Sequence, residues 1–518
     1  MSAPRTRLAR ALAAVLVLCL GLLAGCTPAP TESSPPASGN KTLRFVTVYP
    51  PNTTNAHLVG AAFVLNSGAV ESLVGIDAET LKPYPWLAEK WETTDAQHWT
   101  FTIRQGVTFH NGKPLTAEAV RASLADAIEV NPGVKAALKI QELRAIDDQT
   151  LALTTESVYP ALISNLIHFN AVITDVTDPG ELPVGTGPFK FESFDPNTEA
   201  VLVRNPGYWN GQAKLDKVIM AANPDANARM LAIQAGDADV IYRPSTESIQ
   251  TLSKDPAITV ESVPGNRVYH LMYNYRGQNA ALWNNKDFRR GIDALMDRQA
   301  IVDGIMAGEG TVAYNPFPGN WPFSPTPLAH PSGTEEALKN FAAAGLDVTD
   351  GKVTRNGQPL TLKVVTYIAR PELPLIAQLL RDSAAKVGIT MEIQVADNID
   401  DYVETNEFDI MTYSLLTITR GDGSFFLNGT FGKGGAQNHG HLNNPTLNAM
   451  LDDYNSELDP TTRNEKAKKI AAWLEEESIY SYLVVPNETS AYNKKVTGWR
   501  TPANEFEFPM ITKDLDIA

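Results

Sequence analysis

Arg420, Asp422, His439 and His441 fall within 22 residues of one another in the stretch TITRGDGSFFLNGTFGKGGAQNHGHLNN, residues 417–444. An arginine there could grip a carboxylate, because its planar, permanently charged fork offers two parallel N–H donors. The plainer alternative for Arg420 is an ion pair with Asp422 or with an acidic neighbour such as Glu407. His439 and His441, separated by Gly440, could chelate a transition metal from a strand face or a loop, or could be two solvated loop histidines. The run GTFGKGG lacks the Gly-x4-Gly-Lys-Ser/Thr spacing that lets a loop cradle phosphates. The chain also lacks a Gly-x-Ser-x-Gly elbow, a His-Glu-x-x-His pair and a dinucleotide fingerprint. These residues offer ligand capture, and they leave an enzyme unsupported but open.

Mixed α and β elements must position these groups. HWTFTIRQGVTFHNG alternates Trp99, Phe101 and Ile103 against polar residues, which predicts a half-buried strand ending at an Asn111-Gly112 turn. LTAEAVRASLADAI predicts a helix capped by Thr116, with Val120, Leu124 and Ile128 on one face. GPFKFESFDPNTEAVLVRN predicts a hairpin turning at Asp195-Pro196-Asn197. LTLKVVTY, then PELPLIAQLLRDSAAKVG with Leu373, Ile376, Leu380 and Val387 on one face, then ITMEIQVA read as strand, helix, strand. FDIMTYSLL, which carries Tyr413, reads as a further strand. That order predicts a βαβ unit with a partly parallel sheet, and residues 459–477 predict a helix capped by Asp459 with Pro460 at its first position. Two α/β lobes follow, and ligands of such folds favour the crevice between them.

Composition narrows the class. The chain has 518 residues, 43% hydrophobic and 20% charged, with a net charge of -16 that argues against nucleic acid as a partner. At the N-terminus three arginines precede the uncharged run of residues 11–25, which suits a secretory signal better than a membrane span. LLAGC resembles the bacterial lipoprotein signal, which implies cleavage before Cys26 and lipid on its sulfur. Cys19 lies inside the removed segment, so the mature chain has one thiol and forms no internal disulfide. Residues 27–41, rich in Pro, Ser and Thr, read as a flexible tether.

YPWLAEKWETTDAQHWTFTIRQGVTFHNGKPLTAEAVRASLADA and GTGPFKFESFDPNTEAVLVRNPGYWNGQAKLDKVIM, together with NARMLAIQAGDADVI and FRRGIDALMDRQAIVDGI, resemble segments of the peptide/nickel substrate-binding proteins of bacterial ABC importers, solute-binding family 5. The resemblance covers nearly everything after residue 42. It implies a two-lobed α/β clamshell of the periplasmic-binding-protein type (type II, cluster C) with an extra small domain. The expected division is residues 1–25 signal, 26–41 tether, 42–80 with 184–267 and 488–518 as the first lobe, 81–183 as the extra subdomain, and 268–487 as the second lobe. It further implies an exported, lipid-anchored, monomeric, non-enzymatic protein that hands cargo to a membrane permease driven by separate ATPase subunits.

The cargo is less defined. Peptide binders of the family place an aspartate three residues before the Asp of a Gly-Asp-Pro element; here that position is Thr419 and the proline is replaced by Gly423. Arg420 is instead similar to the arginine with which metal-chelate importers hold ligand carboxylates, and the ending KKVTGWRTPANEFEFPMITKDLDI resembles that subgroup. Positions matching two further arginines and a tryptophan of a nickel binder's cleft read Val130, Phe169 and Gly133. The expected cleft therefore comprises Arg420, Thr419, Asp422 and Asn66, with aromatic walls from Phe63, Tyr413, Phe425 and Trp321. His439 and His441 are candidate ligands to a metal carried as cargo, such as nickel in a chelate. No resident cofactor is expected. A short peptide without metal, a sensor or chaperone on the same fold, and a secreted hydrolase are the competing readings.

Overall fold

The computed structural model describes residues 41–518 apart from 179, 329 and 406; the signal segment, Cys26 and the tether up to residue 40 lie outside the described residues. Alternation builds the strands as expected. In His98–Ile103 the side chains of Trp99, Phe101 and Ile103 are buried while the residues between them are not. Thr116 caps the helix Ala117–Val130 by accepting from the Ala119 N–H, satisfying one of the free donors of the first turn. Strands Phe189–Asp195 and Glu199–Arg204 pair antiparallel across the Asp195-Pro196-Asn197 turn. Thr361–Tyr367 pairs parallel with both Thr390–Ala396 and Ile410–Leu416, and the helix Glu372–Lys386 makes the crossover.

Three apolar cores result. One is built around the strand Thr42–Thr47, the Phe189–Asp195 hairpin and the C-terminal residues Trp499, Met510 and Ile511. A second lies under the four-stranded antiparallel sheet that contains His98–Ile103 and Thr150–Thr155. The third and largest packs around Arg267–Tyr273, Ile410–Leu416 and the helix Pro460–Glu476. The sheets of the first and third are joined through one long strand, Ser481–Asn493. Its first half pairs with Arg267–Tyr273, and its second half pairs with Ile258–Pro264 and Val240–Tyr242. Gly265 and Asn266 connect the two partner strands at the same level, so two adjacent segments cross together from one sheet to the other.

The stretch 417–444 is not an open loop. It leaves strand Ile410–Leu416, turns sharply at Arg420 and Gly421 with φ of +58° and +64°, and enters the helix Ser424–Phe431. A side chain in that left-handed region costs of order 1 kcal/mol for a non-glycine residue, so tertiary contacts hold Arg420 there. Gly421 has a second reason to be glycine, because a Cβ would lie 2.2 Å from the Leu81 carbonyl oxygen.

Candidate ligand cleft

The turn after Leu416 places Thr417, Thr419 and Arg420 where the three cores meet, and all three are buried. The Arg420 Nε donates to Glu507 Oε1 at 2.6 Å and its Nη1 donates to Asn165 Oδ1 at 3.0 Å. Its guanidinium also stacks 4.6 Å from the Phe425 ring centroid, while the adjacent Phe426 points into the core. The arginine is thus ion-paired within the chain, and its partner is the distant Glu507 rather than Asp422 or Glu407. Asp422 is committed elsewhere, to Arg463 at 3.0 Å, the Tyr454 hydroxyl and the Ser424 N–H. Burial opposes charge on Asp422, yet Arg463 and these donors hold its carboxyl below the usual range.

Glu507 belongs to the segment 503–508, which threads between the cores. Asn504 folds it by accepting from the Phe506 and Glu507 N–H groups, and Asn66 Nδ2 secures it by donating to the Phe508 carbonyl. Glu505 Oε1 receives Arg267 Nη2 at 2.7 Å and Arg370 Nη2 at 2.5 Å, with Arg243 4.0 Å away. Phe506 lies between Arg267, whose guanidinium is 5.4 Å from its ring, and Phe169, which in turn stacks on His168. Burial, aided by Arg420, keeps His168 deprotonated, consistent with its Nδ1 accepting from the Asn170 N–H.

Eight of the 20 buried side-chain polar atoms left without a partner among the described residues belong to this segment and its neighbours. Among the described residues, Arg267 Nε, Arg370 Nη1, Asn266 Nδ2 and Asn504 Nδ2 are buried donors without a partner. Glu505 Oε2 and Glu507 Oε2 are matching acceptors, and the Thr417 and Thr419 hydroxyls belong to the same group. The backbone ties them together, since Asn266 N donates to Ala503 O while Thr417 N and Ile418 N donate to Asn266 O. Each such buried atom costs roughly 1–3 kcal/mol when unpaired, so a cluster of eight calls for partners from outside the chain.

The remaining expected residues are distributed around this point. Phe63 is buried in the core of the first sheet. Tyr413 donates its hydroxyl to Asp400 at 2.6 Å, and His439 reaches the same carboxylate oxygen at 3.3 Å while its ring meets the edge of Tyr413. His441 instead accepts from Arg276 at 3.1 Å, so the two histidines do not converge on one point. Among the described residues no group of three or more His, Cys, Asp or Glu side chains is arranged to hold a metal ion. Trp321 lines a cavity of about 580 Å³ together with Trp91, Trp99, Phe323, Asp422 and Arg463. This cavity adjoins the cleft through Gly421 and through Ser164, next to Asn165. Arg267, Arg370, Glu505 and Glu507 were not expected from sequence. The motif ANEFEF was the available signal, as two glutamates alternating with aromatics near the end of an acidic chain.

Two α/β lobes joined by paired crossing segments, with a polar crevice at the crossing, define a two-lobed binding protein of the periplasmic type. Residues 82–438 match the family described as "Bacterial extracellular solute-binding proteins, family 5 Middle". A nickel-binding protein, NikA, of Staphylococcus aureus is 30% identical over 402 residues, covering 77% of this chain and 79% of that protein. A nickel ABC transporter crystal structure from Bacillus halodurans superposes with a TM-score of 0.79 at 39% identity, covering 92% of this chain and 100% of that one. The crystal structure of NikA from S. aureus in complex with Ni(L-His)2 gives a TM-score of 0.79 at 27% identity, with 92% and 100% covered. Other relatives at about 25% identity are named as dipeptide- and oligopeptide-binding proteins. The chain belongs to the family 5 bacterial extracellular solute-binding proteins. Among the described residues, no helix is long and apolar enough to cross a membrane.

Proposed function

We propose that this protein is the extracytoplasmic, lipid-anchored substrate-binding component of an ABC importer. It captures a carboxylate-bearing small ligand between its lobes and delivers it intact to a permease served by separate ATPase subunits. The observation that carries this reading is the buried pair Arg267 and Arg370, each with an N–H donor left unpaired beside the crossing segments. Guanidinium donors of this kind suit a carboxylate. The clamp role expected of Arg420 passes to these two residues, with Arg420 setting the cleft wall through Glu507 and Asn165. The neighbouring cavity of about 580 Å³ lies within the range of small-molecule sites, so the bulk of the ligand has room there beside Trp321.

A nickel chelate is the favoured cargo, on the likeness to nickel-binding relatives and on Thr419 standing where peptide binders carry aspartate. The competing cargo is a short peptide, favoured by the peptide-binding relatives. Native mass spectrometry of the purified protein identifies a retained ligand. Calorimetry with nickel chloride, with nickel plus L-histidine, and with di- and tetrapeptides separates the two. Arg370→Ala is expected to weaken the bound ligand by roughly tenfold or more, about 1.4 kcal/mol. An unchanged affinity in a folded Arg370→Ala protein overturns the clamp, and chemical conversion of the ligand overturns the binding-protein reading.

A further inference from the structure

We infer that Glu488 is a proton switch on the carboxylate clamp: when it is neutral, Arg243 serves Glu505 and leaves Arg267 and Arg370 to the ligand. When it is ionised, Arg243 is divided between two glutamates and capture weakens. This rests on the proposed clamp and adds a control to it. Glu488 lies on the strand Ser481–Asn493 and is 1% exposed, so water does not screen its charge. Its Oε2 accepts from the Tyr242 hydroxyl at 2.7 Å, and Arg243 Nε is 3.7 Å from the same oxygen. Arg243 Nη1 is 4.0 Å from Glu505 Oε1 and donates to the Tyr49 hydroxyl at 3.1 Å. One guanidinium thus stands between two buried carboxylates, too far from either for a hydrogen bond. Its backbone fixes it there. Arg243 has φ +53°, its N–H donates to the Thr489 carbonyl beside Glu488, and its carbonyl accepts from Arg229 Nη2. A non-glycine residue persists in that left-handed region only where its surroundings hold it.

The charge balance sets the direction. Arg243, Arg267 and Arg370 face Glu488 and Glu505, which leaves one positive charge in excess with both glutamates ionised and two with Glu488 neutral. A ligand carboxylate is held more tightly by the second arrangement. The groups facing Glu488 are Tyr242 and Arg243, Tyr49 just after the strand Thr42–Thr47, Arg267 and Tyr269, and Glu505. Tyr269 donates its hydroxyl to Glu372. The nearby acids Glu261 and Glu309 are engaged elsewhere, by Thr501 and by Ser262 with Asn487. Burial pushes the Glu488 carboxyl up to about 7, against Arg243 and the Tyr242 hydroxyl and with Glu505 adding to the rise. The group therefore changes charge near neutral pH. An anion arriving at Arg267 and Arg370 raises the proton affinity of Glu488 further, so capture takes up a proton. By reciprocity the affinity is steady below about pH 7 and falls by up to about tenfold per pH unit above it.

The test uses the full-length protein after removal of co-purified ligand by unfolding and refolding, and it begins without ligand. Infrared titration of the protonated-carboxyl band, between about pH 5 and pH 9, is expected to show a carboxyl with a midpoint near 7 that is missing in Glu488→Gln. Circular dichroism checks the fold of the variant. Calorimetry then follows binding of nickel chloride with L-histidine, and of the dipeptide alanyl-alanine, across the same range. Dividing the affinity of Glu488→Gln by that of the unmodified protein removes each ligand's own titration. The ratio is expected to be near one at about pH 6 and to reach roughly tenfold at about pH 9, with greater proton uptake by the unmodified protein. Absence of a Glu488-dependent band, a ratio flat with pH, or a variant that binds poorly at every pH overturns the switch and leaves the clamp standing. Unchanged affinity in Arg370→Ala overturns the clamp and the switch together, and so does binding of neither probe. Should Glu488→Gln not fold, Tyr242→Phe replaces it. Loss of a donor to the ionised carboxylate is expected to move the infrared midpoint to higher pH, and an unmoved midpoint overturns the switch.

Discussion

Arg420 and Glu507 are each about 2–3% exposed and are bonded at 2.6 Å, so neither can lose its partner without leaving a charge in a dry environment. Arg420→Ala should therefore lower the unfolding free energy by about 3–5 kcal/mol, measured by urea denaturation, with loss of affinity as a consequence of the misplaced segment 503–508. Thr419 makes the opposite prediction. Its hydroxyl is fully buried and has no partner among the described residues, so Thr419→Val, which keeps the shape, should leave stability unchanged or slightly raised. If the hydroxyl meets ligand, affinity falls in the same variant, and calorimetry reads that separately from the melt. His330 supplies a pH dependence remote from the cleft. Burial disfavours its charge, but Asp293 at 3.1 Å and Glu475 at 3.0 Å push its pKa up to about 9. A raised pKa means the stabilisation is complete below the unfolded value of about 6.5 and is lost as pH rises through about 9. Roughly 3 kcal/mol is at stake by this linkage, and His330→Gln should flatten the stability profile across that window.

The family signatures quoted from sequence turn out to meet on one buried carboxylate. Glu71 accepts from Trp86 Nε1, Trp209 Nε1, the Tyr208 hydroxyl and the Thr186 hydroxyl at 2.7–3.1 Å. The strand Glu71–Ser72 thereby ties the YPWLAEKW segment to the GYWNG segment, two elements far apart in the chain. Burial raises the Glu71 pKa in spite of these four donors. Glu71→Leu leaves all four donors unpaired and should cost at least about 3 kcal/mol, whereas Glu71→Gln keeps an acceptor and should cost less; thermal denaturation distinguishes them. Individual elements were legible in sequence because their causes are local. Thr116 and Asp459 cap the helices they were expected to cap, and the strand and helix patterns of residues 360–416 reappear as a parallel sheet with its crossover helix. The helix Ser424–Phe431 was hidden, since its sequence SFFLNGTF combines aromatics with a glycine inside the helix and its amphipathic pattern is weak.

Gly421 couples the whole molecule. It lies against Leu81 at the start of the expected extra subdomain, on a turn that belongs with the third core. Gly421→Ala would force a Cβ into a space 2.2 Å from the Leu81 carbonyl and strain a backbone at φ +64°. Leu81 packs in that same core, so the turn must shift within it and thermal denaturation should report a lower midpoint. Affinity should fall by roughly tenfold or more, about 1.4 kcal/mol. Gly265 and Asn266, beside the strand Ser481–Asn493, cross from the first sheet to the third.

The sequence by itself determined the α/β character, the caps and turns, the acidic charge and the family. These follow from periodicity, local hydrogen bonding and long matching segments. It also singled out residues 417–422 as a place of interest. Only the tertiary structure decided what Arg420 touches, because Glu507 lies 87 residues away and Asn165 lies 255 residues away along the chain. The same holds for the pairing of Arg267 and Arg370 with Glu505, at separations of 238 and 135 residues. Charge partners at such distances leave no periodic or spacing signal; they are set by how three cores pack around one threaded segment.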